Sequence, residues 1–173
     1  MHAAKRFRRI RAAVGAGAAM CAIAAALGGC GFRLAGSQPL PAVLARPYVS
    51  LKDPYTDFSR EFERQLKSAG VTLQPDSAGA SATIEISKDA VEQRILSVSA
   101  RNIPTEYLLV YTVTVGVNAA GKELLKPQTV SLSQDYTFSE QAVLAKEHEA
   151  DILREQMARN LVAIVMRRLS SLK

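Results

Sequence analysis

Residues Glu106–Val117 read EYLLVYTVTVGV, and this stretch decides the fold. Tyr107, Leu109, Tyr111, Val113, Val115 and Val117 fall on one face of an extended chain, with Thr112 and Thr114 on the other. Alternation of period two, rich in aromatic and β-branched residues, predicts a strand with one buried face. Such a strand belongs to a sheet that must lay its apolar side on a second layer.

The flanking sequence supplies the rest of that sheet. Upstream, Ala82–Val98 holds ATIEIS and RILSV, and the polar residues between them mark a candidate bulge. Downstream, Gln128–Phe138 places Val130, Leu132, Tyr136 and Phe138 on one face. Its other face is Thr129, Ser131, Ser133, Asp135 and Thr137. Turn residues around Arg101–Pro104 and Asn118–Lys122 join these segments into a meander of antiparallel hairpins. Tyr48–Lys52 (YVSLK) alternates as well and adds a short first strand, which Pro54 breaks.

Two helices follow from a different period. After a cap at Thr56 or Asp57, Phe58, Phe62 and Leu66 recur every four residues with Ala69 near the same stripe. Arg60, Glu61, Glu63, Arg64 and Lys67 face away, and Gly70 closes the helix. The terminal helix runs from about Glu147 to Leu169, with a stripe of Leu153, Met157, Leu161, Ile164, Val165 and Leu169 beside Ile152. Acids gather at its start and bases at its end, as the helix dipole favours. Residues 139–146 read as helix or as connecting loop. The order β-α-β-β-β-α gives an α+β, two-layer sandwich: an antiparallel-rich four-stranded sheet with two helices on one face. The outer sheet face is then dominated by Thr and Ser. Either Thr is there because it suits strands, or the face lies against something hydrophilic.

The net charge of +6 invites a nucleic-acid reading that fails once the charge is located. Five of the 22 basic residues and none of the 16 acidic ones lie in residues 1–29, leaving 17 against 16. No basic block remains to track phosphates, so nucleic acid is not an expected partner. Residues 1–29 instead match a secretory leader, with a basic KRFRRIR followed by an apolar run from Ala12 to Leu27. Of the two cysteines, Cys21 lies inside that run, so Cys30 has no intrachain disulfide partner once the leader is removed. Leu27-Gly28-Gly29-Cys30 resembles the lipobox of bacterial lipoproteins. That resemblance implies cleavage before Cys30, diacylglycerol on its sulfur and an acyl chain on its new amino group. At ~0.8 kcal/mol per buried CH₂, two or more chains anchor a protein stably where one does not. By resemblance to sorted lipoproteins, Gly31 rather than Asp implies the outer membrane over retention at the inner one. The expected organisation is a leader over 1–29, a lipidated tether over 30–47 and a single domain over 48–173.

No catalytic constellation is visible. His148 is the single histidine of the mature region, and its neighbours Glu147, Glu149 and Asp151 read as a solvated helix start rather than a metal site. No nucleophile elbow or phosphate loop occurs, and the chain has no Trp. The expectation is a binding protein, not an enzyme, with no metal and no cofactor beyond the lipid on Cys30. Arg101, at a hairpin tip, and Lys146, at the approach to the last helix, suit the phosphates of an acidic glycolipid. Each also reads as an ordinary surface charge.

Four segments in order resemble the LPS-assembly lipoproteins, the LptE family: CGFRLAG, DFSREFERQLKSAGV, ARNIPTEYLLVYTVTVGV and AVLAKEHEADILREQMARNLVAIVMRRL. The resemblance implies an outer-membrane lipoprotein that plugs the LptD β-barrel translocon, assists its folding and helps deliver lipopolysaccharide to the cell surface. It implies two helices on a four-stranded sheet. It also implies that Arg101 and Lys146 match basic positions that contact lipopolysaccharide. The chain stops at Lys173, without the long polar tail that some members carry. A stand-alone periplasmic lipid-binding lipoprotein is the alternative, and it would need an enclosed apolar cavity.

Overall fold

The computed structural model describes residues 39–138 and 143–172. The expected leader, Cys30 and the start of the tether lie outside them. The elements run β1 (Pro47–Leu51), α1 (Asp57–Ser68), β2 (Ala82–Val98), β3 (Pro104–Ala119), β4 (Lys122–Thr137) and α2 (Val143–Ser170). The sheet order is β1-β2-β3-β4. β1 lies parallel to β2 across the α1 crossover, and β2, β3 and β4 form an antiparallel meander. The α+β class, the four strands and the two helices agree with the sequence reading.

The face assigned to β3 is the buried one. Leu109, Tyr111, Val113, Val115 and Val117 join Phe58, Phe62 and Leu66 of α1 and Met157, Leu161, Val165 and Leu169 of α2 in one core. The end of the expected tether docks on that core: Leu44 is fully buried, and Leu40 and Val43 pack against it.

Local chemistry fixes the ends of α1. Thr56 is the N-cap, its hydroxyl accepting the Ser59 backbone N–H at 3.0 Å. At the other end Gly70 adopts φ 82°, the left-handed region that a side chain penalises. The Gly70 N–H then reaches the Lys67 carbonyl at 3.0 Å and the Val71 N–H the Leu66 carbonyl at 3.1 Å. Both Leu66 and Val71 are buried, which completes a Schellman stop with its apolar contact.

Two boundaries move outward from the sequence reading. β4 begins at Lys122, not Gln128. Pro127 looks like a strand breaker, but β4 is an edge strand, where a missing N–H on the free side costs nothing. A register shift opposite Gly116 makes room for the ring. α2 starts by Val143, so the ambiguous approach is partly helical. Its buried stripe begins only at Met157, and Ile152 is exposed.

The bulge expected in β2 is real and shifts its phase. Ala82, Ile84 and Ile86 point into the core, and the register then slips between Ile86 and Lys88. Past the slip Asp89, Val91, Gln93 and Ile95 stand opposite Val113, Tyr111, Leu109 and Tyr107 on the helix side. At about 3.3 Å per residue the 17 residues of β2 extend roughly 55 Å, whereas the 12 residues of α1 extend about 18 Å. The 28 residues of α2 reach further, about 42 Å, and keep Leu109 and Tyr111 of β3 buried, but β2 past the slip is left exposed, and with its turn to β3 it forms a finger.

Candidate functional site

The projecting end carries both basic residues singled out by sequence. Arg101 sits in the β2–β3 turn. The Asn102 N–H reaches the Ser99 carbonyl at 2.9 Å, and the Ser99 N–H reaches that of Ile103 at 2.8 Å. Asn102 takes φ 60°, which its short polar side chain tolerates better than most. Arg101 is exposed at this tip and forms no ion pair or hydrogen bond among the described residues.

Lys146 lies at the same end of the sheet, where β4 ends and α2 begins. Its ammonium pairs with Glu149 at 2.7 Å and donates to the Thr137 hydroxyl at 3.2 Å. Its side chain is only 20% exposed, so it ties the helix start to the sheet as well as carrying charge. Thr137 stands opposite Glu106, which accepts from the Ser97 hydroxyl at 2.8 Å. Ser97 also shares a 2.7 Å hydrogen bond with Thr105. The two bases thus share one end of the sheet, set by the register of β2, β3 and β4. No direct contact joins them.

Beneath these groups lies an aromatic cluster. Tyr107 stacks on Tyr136 at 5.7 Å between ring centroids and meets Phe138 edge-on at 5.5 Å. Burial raises the pKa of the Tyr136 phenol. His148 is exposed, and among the described residues no group of His, Cys, Asp and Glu is placed to hold a metal ion. A hollow of about 310 Å³ between the helices is lined by Asp57, Arg60, Glu61, Arg64, Glu155 and Arg159. Each guanidinium there is paired with a carboxylate, and an all-charged lining does not suit an acyl chain.

Comparison with known proteins places this geometry. The family model LptE, described as lipopolysaccharide-assembly, matches residues 44–169. The chain belongs to the LptE family. The match begins and ends at Leu44 and Leu169, both fully buried, so what this LptE-family chain shares with its relatives is the packed domain. Arg101 and Lys146 fall inside the match and Cys30 outside it. The LPS-assembly lipoprotein LptE of Yersinia enterocolitica is 28% identical over 142 residues, covering 82% of this chain and 68% of that protein. The crystal structure of rare lipoprotein B from Shewanella oneidensis superposes with a TM-score of 0.63 at 25% identity, over 73% of this chain and 94% of the other. The solution structure of lipoprotein B from Nitrosomonas europaea gives 0.67 at 27% identity, over 82% and 91%.

One polar cluster in this LptE-family chain escaped the sequence reading. Asp89, turned inward by the bulge, accepts a short hydrogen bond from the Thr56 hydroxyl. Ser59 Oγ lies 3.3 Å from the same carboxylate oxygen, and the other oxygen is buried without a partner among the described residues. Burial raises the Asp89 pKa, while hydrogen bonds from the Thr56, Tyr111 and Ser59 hydroxyls pull it back. Tyr111, itself pushed upward chiefly by burial, accepts the Phe58 N–H at 3.2 Å. The cluster pins the start of α1 where the helical cover of β2 stops. The only sequence signal for it was the interrupted alternation around Ser87.

Proposed function

We propose that this chain is a lipoprotein anchored in the outer membrane through acyl groups on Cys30. There it plugs and helps assemble the LptD β-barrel translocon and assists lipopolysaccharide delivery. The observation that carries this reading is the family match across the whole packed domain, residues 44–169. The outer sheet face supports it. Thr112 bonds Ser131 and Thr114 bonds Thr129, both at 2.9 Å, so the middle of that face is a ladder of uncharged hydroxyls. Such a face suits a polar barrel lumen without burying charge. The charged hollow between the helices speaks against a stand-alone lipid carrier. No step of this role requires turnover.

In this reading the finger tip meets the phosphates of lipopolysaccharide through Arg101 and Lys146. Arg101 is the cleaner probe, because Lys146 already holds Thr137 and Glu149. Charge-assisted hydrogen bonds contribute about 1.5–3 kcal/mol, so Arg101→Glu is expected to weaken lipopolysaccharide binding by about tenfold or more. The unfolding midpoint should not move. Equal affinity would remove Arg101 from the site. Purification from outer membranes should yield an equimolar complex with the barrel; a free protein carrying lipid would favour the carrier reading instead.

A further inference from the structure

The end of the sheet opposite the finger carries a second set of bases. Lys122 opens β4, and Lys126 follows in the register shift before Gln128. Arg167 and Arg168 lie in the last turn of α2, where the Arg168 guanidinium donates to the Gln128 side chain at 2.9 Å. Arg46 precedes β1, and its carbonyl accepts the Ser81 N–H at 2.8 Å beside the start of β2. Four strands about 4.8 Å apart make this end roughly 15 Å wide, so the five bases share one surface. Seven other described bases are each held by a carboxylate. These five form no ion pair among the described residues. The unpaired acids at this end are Asp76, Glu85 and Glu123, and Lys67 is matched by Glu63. A net positive end results, in a mature chain of 17 bases against 16 acids.

The chain that precedes Pro39 says what covers this patch. The Ser81 hydroxyl donates to the Val43 carbonyl at 2.7 Å, and Leu40 packs on the core, so the tether joins the domain at the same end. The nine residues from Cys30 to Pro39 extend at most about 30 Å. An acylated Cys30 therefore keeps this end, and not the finger tip, near the leaflet that takes its lipid. Each Lys or Arg near an anionic leaflet adds to the hold of a lipid anchor. We infer that in the free lipoprotein this end rests on the phosphates of an anionic phospholipid leaflet. The posture turns the Arg101 finger and the hydroxyl face away from the bilayer, open to a partner. The inference rests on the lipidation reading and not on the translocon reading; entry into a barrel would replace this contact.

The test is a fluorophore on Asn118→Cys, beside the patch, or on Ala100→Cys, at the finger, in the mature chain reconstituted into vesicles with a headgroup quencher. With phosphatidylglycerol in phosphatidylcholine vesicles, the label at 118 should be quenched and the label at 100 should not. Pure phosphatidylcholine, or high salt, should abolish the quenching. Each base near a charged leaflet is worth about fivefold, so Lys122→Gln with Lys126→Gln should lower the docked population about tenfold or more. The unfolding midpoint of that variant should match the parent. Equal quenching in both lipids, or quenching indifferent to the two lysines, overturns the proposal. Mass spectrometry of the processed chain keeps the two readings apart. If Cys30 is unmodified, the lipidation reading fails, and co-sedimentation with the same vesicles then decides the patch. Binding that needs phosphatidylglycerol and both lysines supports it, and no binding overturns it.

Discussion

The two ends of the sheet are built from the same alternation and do opposite things. At the closed end β1, α1 and α2 cover β2 and β3, and Ile84, Ile86, Val113, Val115 and Val117 are almost wholly buried. At the projecting end the alternation continues, but Val91 and Ile95 are exposed, and the turn carries an arginine with no partner among the described residues. Where no helix covers the strand, the same alternation that builds the core elsewhere leaves apolar side chains exposed. Packing is concentrated at one end, so stability should differ along the sheet, as expected where parts of a fold differ in packing.

The largest effect should come from emptying the closed end. Phe62 is fully buried and stacks on Phe58 at 5.5 Å between centroids. Phe62→Ala should cost about 3–5 kcal/mol of unfolding free energy. Ile95→Ala, the same kind of truncation on the finger, should cost less than about 0.5 kcal/mol. Chemical denaturation at low protein concentration reads both. Comparable losses would break the contrast.

Asp89 stands at the border, and its titration sharpens where the border lies. Its folded pKa is raised, with burial the main cause and the nearby Asp53 adding to it. The protonated carboxyl is therefore favoured by folding. That contribution is full below the ordinary carboxylate range and is lost as pH rises through the folded pKa. Asp89→Asn removes the ionisation. Between about pH 3 and pH 7 the wild type should lose stability relative to the variant as pH increases. Urea midpoints measured for both proteins across that window provide the test. A constant difference would mean that Asp89 is effectively solvated and that the finger begins closer to β1.

Much of this plan was legible in the residues. The buried face of β3, the Thr56 cap, the Gly70 stop and the order of elements all depend on neighbours within a few positions. The features that were not legible depend on distant partners. Pro127 reads as a boundary until the strand is known to lie at a sheet edge. Asp89 reads as solvent-facing until the slip at Ile86 reverses the phase of everything after it. Alternation shows which side of a strand is apolar but not whether a helix reaches it, so the uncovered half of β2 had no local mark. Arg101 and Lys146 stood out by position, at a hairpin tip and at the approach to the last helix, and the resemblance gave them an expected role. Their common end follows from register, and the bond from Lys146 to Thr137 spans an interval that periodicity does not see.

The smallest effect concerns the two turns that close these ends. Each holds a non-glycine residue in the left-handed region, Asn102 at φ 60° on the finger and Ala120 at φ 49° at the closed end. Ala119 pairs with Lys122, so Ala120 and Gly121 form a two-residue hairpin loop with both φ values positive. That geometry favours Asn-Gly, because alanine brings its Cβ against the following carbonyl without a side-chain hydrogen bond to offset it. The finger already has the better residue. Ala120→Asn should therefore raise stability by about 0.5–1 kcal/mol, and Asn102→Ala should lower it by a similar amount. Both changes leave the core untouched, so denaturant slopes should stay constant while midpoints move in opposite directions. If both substitutions shift the midpoint the same way, backbone conformation is not what distinguishes the turns. Their side-chain surroundings would then have to account for the difference.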